Sequence, residues 1–439
     1  MASRCAGRRR GRRPLRRGGY GALLAAGAIL LVGGAGARPT AAFQVGKALR
    51  LSGFVRYETF GYPDDQHAEA NWENFVEARL RGTGRLHPTV SYRFEARAVA
   101  DDVHFTAGGW SWRNESMARP YLNLVYGTID YQPTAALRVS VGKQIVNWSS
   151  FDELQPASLL APWDQSDIFR RVQLGVYGVS AHAEHAAVYG DVAVVPLGFA
   201  SSQTAQGRWD LVRGRDAEAR RGVTPVQPDE TQVGARLGAH LGGLDAALIG
   251  YVGRDVFPIY ISELIFVGGT QRFKAVIHDH APRLYAGGLT ATYPLTEEVL
   301  LRSEVVSFTS PDRDRNDYLQ SAIGAEYAVG SWRVLANYLR TDRTDTADEE
   351  VVDQGMRSFF LSFGFGEVRY DADGRLIVRV PGGYDFTGQF AFTQPEVSYP
   401  VWGNLRAALT ADLIFANKYS YFDRIKHEDR LSTRLEYFF

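Results

Sequence analysis

The 439 residues include 45 Gly, 24 Phe, 22 Tyr, 8 Trp and 3 Met, and beyond residue 42 no stretch approaches 18 uncharged apolar residues, which excludes a helical membrane span there. The formal charge balances at 49 basic and 49 acidic residues, but Arg4, Arg8, Arg9, Arg10, Arg12, Arg13, Arg16, Arg17 and Arg38 all precede residue 43 with no acid among them. Without these nine, 40 basic residues face 49 acidic ones, a net charge of −9 that argues against nucleic acid as a partner.

Residues 1–42 read as a secretory signal peptide: an Arg-rich start, an apolar run from Tyr20 to Leu31, then small residues. Cleavage is expected after Ala42, with Ala37 as the second candidate. The paired arginines also allow a twin-arginine route, but the run is diffuse. The one cysteine, Cys5, precedes the apolar run and is neither a lipid acceptor nor a disulfide partner. A mature chain without cysteine suits an oxidising compartment.

From Leu49 a period-2 alternation begins and recurs. Leu49, Leu51, Gly53, Val55 and Tyr57 alternate with Arg50, Ser52, Phe54, Arg56 and Glu58. Val76, Ala78, Leu80, Gly82 and Leu86 then alternate with Glu77, Arg79, Arg81, Thr83 and Arg85, and Val90, Tyr92, Phe94, Ala96 and Ala98 with Ser91, Arg93, Glu95 and Arg97. Such long strands, apolar on one face and charged on the other, are the pattern of a transmembrane β-barrel, with lipid outside and water inside. The strand from Leu137 would turn Lys143 toward lipid, unless a bulge at Gly142 resets its parity.

The connections alternate in length as well. Short turns fall at His87-Pro88, Gln132-Pro133, His185-Ala186, Gly242-Gly243, Pro294-Leu295 and Gly330-Ser331. Long polar segments fall between them at 61–71, 101–118, 149–172, 198–229, 310–316, 342–354 and 416–427. In outer-membrane barrels the short turns face the periplasm and the long loops face outward. Sixteen strands can be placed: nine from 47 to 256, five from 282 to 369 and two from 402 onward. Segments 259–280 and 374–397 could each add a hairpin, which gives a range of sixteen to eighteen.

Charges on the inner face imply a wet lumen. The pore-lining candidates are Arg50, Arg56, Glu58, Glu77, Arg79, Arg81, Arg93, Glu95 and Arg97. They form either a selectivity wall for anionic solutes or a cross-strand salt-bridge lattice. The most distinctive stretch runs from Gly142 to Arg171 and is rich in Pro, Trp and Asp. It is expected to enter the barrel mouth as a constriction, with Trp148, Asp152, Trp163, Asp164, Arg170 and Arg171 as its candidate residues; the alternative is an external flap.

Gly142, Lys143, Gln144 and Trp148, then Asp152, Pro156, Pro162 and Asp164, then Arg208 and Trp209 carry a resemblance. Over roughly 70 residues the chain resembles a proteobacterial family of outer-membrane porin-like β-barrels that is distantly similar to alginate-export channels. It departs from that family's pattern at Ser149, Ala157 and Ala161, where Gly, Asp and Asn are usual. The resemblance implies a channel and names no solute.

His182 with His185, and His278 with His280, sit at predicted turns and read as solvated residues, so no metal or cofactor is expected. Asp345, Asp348, Glu349, Glu350 and Asp353 form an acidic loop that either holds a divalent cation near lipopolysaccharide or is only solvated. Arg208, Arg213, Arg215, Arg220 and Arg221 in the loop at 198–229 read as partners of either anionic headgroups or a solute. No nucleophile, base and orienting group stand out together, so an enzyme is not expected.

In the last strand Leu431, Thr433, Leu435, Tyr437 and Phe439 oppose Arg430, Ser432, Arg434, Glu436 and Phe438. Leu435, Tyr437 and the terminal Phe439 match the closing strand that barrel-assembly machinery reads. The reading is thus all-β: a signal peptide at 1–42 and a single antiparallel transmembrane barrel at 43–439, in the outer membrane of a Gram-negative bacterium. Its partners are outer-membrane lipid, lipopolysaccharide, the assembly machinery and small solutes; the sequence carries no interface signal for an oligomer. Passive passage of small hydrophilic or anionic solutes is the expected function. Export, or lipid or polysaccharide handling with an inner-membrane system, is the alternative.

Overall fold

The computed structural model describes residues 43–45, 49–63, 71–101, 106–110, 119–165, 167–201, 220–222, 230–267, 272–312, 317–344, 362–417, 423 and 425–439. The expected signal peptide, Arg208, Trp209, Arg213 and Arg215 and the acidic loop at 345–353 lie outside these residues. Eighteen strands build one barrel. They are β1 (Leu49–Gly61), β2 (Trp72–His87), β3 (Val90–Asp101), β4 (Arg119–Thr134), β5 (Leu137–Gln144), β6 (Val176–His185), β7 (Val188–Leu197), β8 (Gln232–Leu241) and β9 (Leu244–Arg254). The second half comprises β10 (Arg283–Pro294), β11 (Val299–Thr309), β12 (Tyr318–Val329), β13 (Trp332–Arg343), β14 (Ser362–Ala372), β15 (Leu376–Asp385), β16 (Phe390–Thr393 and Glu396–Trp402), β17 (Leu405–Ala416) and β18 (Arg430–Phe438).

Each strand pairs antiparallel with its neighbour, and β18 closes the ring on β1, from Phe54↔Phe438 to Gly61↔Leu431. Closure matters because an open edge would leave backbone N–H and C=O groups unpaired in hydrocarbon. The terminal Phe439 continues that ladder: its N–H donates to Gly53 O at 3.0 Å, and the Gly53 N–H donates to Phe439 O at 2.9 Å.

The alternation sets the faces. Outward Leu237, Leu248, Ile323 and Leu409 are 59%, 62%, 63% and 58% exposed, while inward Ile249, Tyr251 and Glu304 are buried. So much exposed apolar surface fits lipid and not water. Outward aromatics ring both ends: Tyr131, Tyr293, Trp332 and Trp402 at the end with short turns, and Tyr57, Trp72, Tyr285 and Phe415 at the end with long loops.

Both doubtful segments form hairpins, but only one joins the barrel. Segment 374–397 contributes β15 and β16, with Gln394 and Pro395 interrupting β16, where the Gln394 side chain donates to Asp412 Oδ1 at 2.6 Å. Ile259–Val267 and Arg272–His280 pair in a separate sheet, with Arg220–Gly222 parallel to the latter. The turn expected at Gln132-Pro133 falls at 135–136.

No register slip occurs at Gly142, whose pairing with both β4 and β6 is unbroken. Instead the backbone takes a φ of +128° there, which only glycine adopts readily, and a Cβ would stand 2.3 Å from Gly127 O. Lys143 is thereby buried, with Nζ 3.4 Å from Asn123 Oδ1 and 5.6 Å from the Tyr177 ring. Ladders slip at other places, as in β3–β4, which steps from Glu95↔Tyr126 to Ala96↔Leu124.

Candidate functional site

The segment 145–175 leaves β5 at the long-loop end and folds into the barrel. Trp148, Leu159 and Leu160 pack among Val195 of β7, Ile249 and Tyr251 of β9, and Val306 and Phe308 of β11. Phe151 and Leu154 lie on Leu335 and Leu339 of β13 and Phe363 and Phe365 of β14, and Ile168 and Phe169 meet Phe390 of β16 and Ile414 of β17. The wall is shaped for this loop: a Cβ on Gly234 would come within 2.7 Å of the Trp148 ring.

Two polar anchors hold it on opposite walls. Glu304 of β11 accepts hydrogen bonds from Ser149 Oγ at 2.8 Å, Ser150 Oγ at 2.9 Å, the Ala157 N–H at 3.0 Å and the Ser150 N–H. On the other side, Arg170 is 2.7 Å from Glu58 of β1, 3.1 Å from Asp167 and 3.5 Å from Asp412 of β17, with its guanidinium 4.3 Å from the Phe60 ring centre. Arg430 of β18 pairs with Asp167 at 2.9 Å and with Asp412.

Burial pushes the Asp167 carboxyl up, but the charges of Arg430 and Arg170 outweigh it and hold it at about 2. For Arg170, burial and the Arg430 charge push downward, yet Glu58, Asp167 and Asp412 hold the guanidinium above its ordinary range.

The candidate wall residues separate into two groups. Glu77, buried, takes Arg56, Arg79 at 2.7 Å and Arg97 at 2.6 Å, and Arg97 also reaches Asp164 of the loop at 3.3 Å. Glu95 pairs with Arg79 at 3.3 Å and Arg81 at 2.5 Å. Arg56, Glu77, Arg79, Glu95 and Arg97 form a lattice fastened to the loop at Asp164, and Glu58 is fastened to the loop through Arg170. The Arg81 and Arg93 side chains remain 51% and 50% exposed, Arg93 lying 3.4 Å from Asp130, and Arg50 is exposed.

Within the loop, Trp148, Asp164 and Arg170 face protein. Asp152, Glu153 and Arg171 lie on its uncovered side, with Asp152 3.6 Å from Arg333, Glu153 paired to Arg171, and Arg171 5.6 Å from the Trp163 ring. Glu304, Asp167, Asp412 and Arg430 are site residues that strand periodicity does not single out. The one signal for Glu304 is its place as a lone carboxylate on an inward row otherwise ending in Val306 and Phe308. His182 is committed to Asp191 at 2.8 Å, and among the described residues no group of three or more His, Cys, Asp or Glu is placed to hold a metal.

Below the loop, toward the short turns, lies a cavity of about 930 Å3 between β13–β18 and the loop's Asp152 and Glu153. A closed 18-stranded barrel with an inner loop over a polar vestibule is the architecture of an outer-membrane porin. Among solved structures, Acinetobacter baumannii OccAB4 matches with a TM-score of 0.50 and 11% identity, covering 89% of this chain and 98% of that one. Pseudomonas aeruginosa OccK3 (OpdO) matches with a TM-score of 0.49 and 14% identity over 89% and 95% of the two chains. Salmonella typhi OmpF, in complex with daunomycin, matches with a TM-score of 0.43 and 11% identity over 90% and 98%. At these identities the OccAB4 match speaks for the fold alone. No family model and no curated protein matches the chain, so the alginate-export likeness rests on the motif residues by themselves.

Proposed function

We propose that the chain is a non-enzymatic, porin-like channel of the outer membrane, passing small hydrophilic or anionic solutes by diffusion through a lumen narrowed by segment 145–175. The observation that carries this reading is the loop itself, fastened to Glu304 on one wall and to Glu58, Asp412 and Arg430 on the other, above an open cavity of about 930 Å3. Asp152, Glu153 and Arg171 form the polar edge of the constriction, and the exposed Arg81 and Arg93 are the wall residues best placed to meet solutes.

In this reading residues 1–42 direct secretion, the short turns face the periplasm, and the outward apolar belt meets lipid and lipopolysaccharide. Leu435, Tyr437 and Phe439 are the signal for the assembly machinery; the pairing of Phe439 with Gly53 supports that role. The test is single-channel conductance of the refolded mature protein in a planar bilayer under a salt gradient. Stable open steps are expected; silence from correctly folded protein would overturn the reading.

A further inference from the structure

The cavity below the loop is lined by many charges, and nearly all of them are spent on each other. Arg333 pairs with Glu326 at 2.6 Å, Arg369 with Asp371 at 3.0 Å, Arg379 with Glu367 at 2.6 Å and Arg434 with Glu396 at 2.7 Å. Glu153 is taken by Arg171 and Asp152 lies 3.6 Å from Arg333. Apart from Asp373, on the turn after β14, two lining charges are in no ion-pair contact among the described residues: Arg406 of β17 and Glu436 of β18. They stand directly opposite each other in the ladder, and on its other side Glu436 faces Arg56 of β1, whose charge and that of Arg434 also act on it. Yet they do not pair, because the Arg406 guanidinium donates to neutral oxygens, Ser398 Oγ at 3.2 Å and Gly374 O at 3.0 Å. Glu436 has no hydrogen-bond or ion-pair partner among the described residues.

We infer that Arg406 and Glu436 form a binding site for a small zwitterion, an ammonium carboxylate such as an α-amino acid. The solute's carboxylate meets the guanidinium of Arg406, and its ammonium meets the carboxylate of Glu436. Both charges sit on paired positions of neighbouring strands of one wall, so that one small zwitterion can meet both, whereas a simple anion would gain from Arg406 alone. Leu335, Phe365, Ile377, Leu405 and Phe438 add apolar lining for a hydrocarbon side chain. The bonds that Arg406 gives up are to neutral acceptors, which a charged carboxylate replaces favourably. The site rests on the channel reading for its purpose, but its chemistry is independent of conduction.

Calorimetric titration of the refolded protein in micelles at pH 6 with leucine, N-acetylleucine and leucinamide tests it, alongside bilayer recordings with the same three solutes. Leucine is expected to bind at least tenfold more tightly than either singly charged analogue. Glu436→Gln should abolish its advantage over N-acetylleucine, and Arg406→Gln its advantage over leucinamide, while Glu436→Asp and Arg406→Lys retain part of each. Equal binding of the three solutes to the unaltered protein, or tightest binding of N-acetylleucine, overturns the site without any variant having to fold. Open channels with no preference for leucine overturn the site alone; silent bilayers with leucine binding intact overturn the channel reading and uphold the site.

Discussion

Arg170, on the inner loop, stands 2.7 Å from Glu58 on the first barrel strand, a partner 112 residues away in the chain. Both side chains are largely withdrawn from solvent, 12% and 0% exposed. Desolvation makes such a pair a weak source of net stability, but removing one member strands the other charge.

Arg170→Met should therefore destabilise the barrel by about 3–5 kcal/mol, since it takes from the buried Glu58 its paired cation, whereas Glu58→Gln should cost less because Arg170 keeps Asp167 and Asp412. The double variant should recover part of the loss. Urea unfolding midpoints of the refolded protein, followed by tryptophan fluorescence, check both statements; additive losses would show that the two residues do not act as a pair.

The opposite anchor behaves differently, because Glu304 is held by neutral donors only. Glu304→Gln keeps one acceptor oxygen and places an amide NH2 against donors such as the Ala157 N–H, for a cost of about 1–3 kcal/mol. The expected readout is electrical: a freed loop root makes the open current noisier, with frequent brief transitions in single-channel records. A current as quiet as that of the unaltered protein would mean that packing of Trp148 and Leu160 holds the loop unaided.

Acid should loosen the anchor at Asp167. Its carboxyl stands at about 2 in the folded chain against an ordinary 3.8. A folded value below the unfolded one means that the stabilisation is complete above about pH 4 and is lost as the pH falls toward 2. The contribution is on the order of 2 kcal/mol. Unfolding midpoints of Asp167→Asn and of the unaltered protein should differ at pH 7 and converge near pH 2.

Arg81 and Arg97 face the same lumen yet predict opposite outcomes. Arg81, half exposed, should shift the reversal potential toward cations when changed to Ala together with Arg93, with little effect on folding. Arg97, 2% exposed and bound to Glu77 and Asp164, should cost stability when changed to Ala. Reversal potentials and unfolding midpoints measured on the same preparations separate the two roles.

The barrel was legible wherever alternation ran unbroken, as from Leu49 to Glu58 or from Val90 to Ala98. It was least legible between Leu376 and Trp402, where Pro381, Gly382, Gly383, Pro395 and Pro400 interrupt the period although the strands still pair. The conformation at Gly142 was invisible for a different reason. A parity change reads as an inserted residue, but a positive φ achieves it with none. The unusual composition of 142–171 pointed to a special loop, whereas its anchors depend on contacts between residues as distant as Asp167 and Arg430, which no local pattern encodes.

Those anchors also impose an order on assembly. Glu304 lies in the eleventh strand, so one end of the inner loop can seat while the sheet is still open. Asp412 and Arg430 belong to the last two strands, so the other end, held until then by Glu58 alone, is fully fastened only when those strands join. The step that joins the sheet's two free edges is thus also the step that fixes the width of the passage.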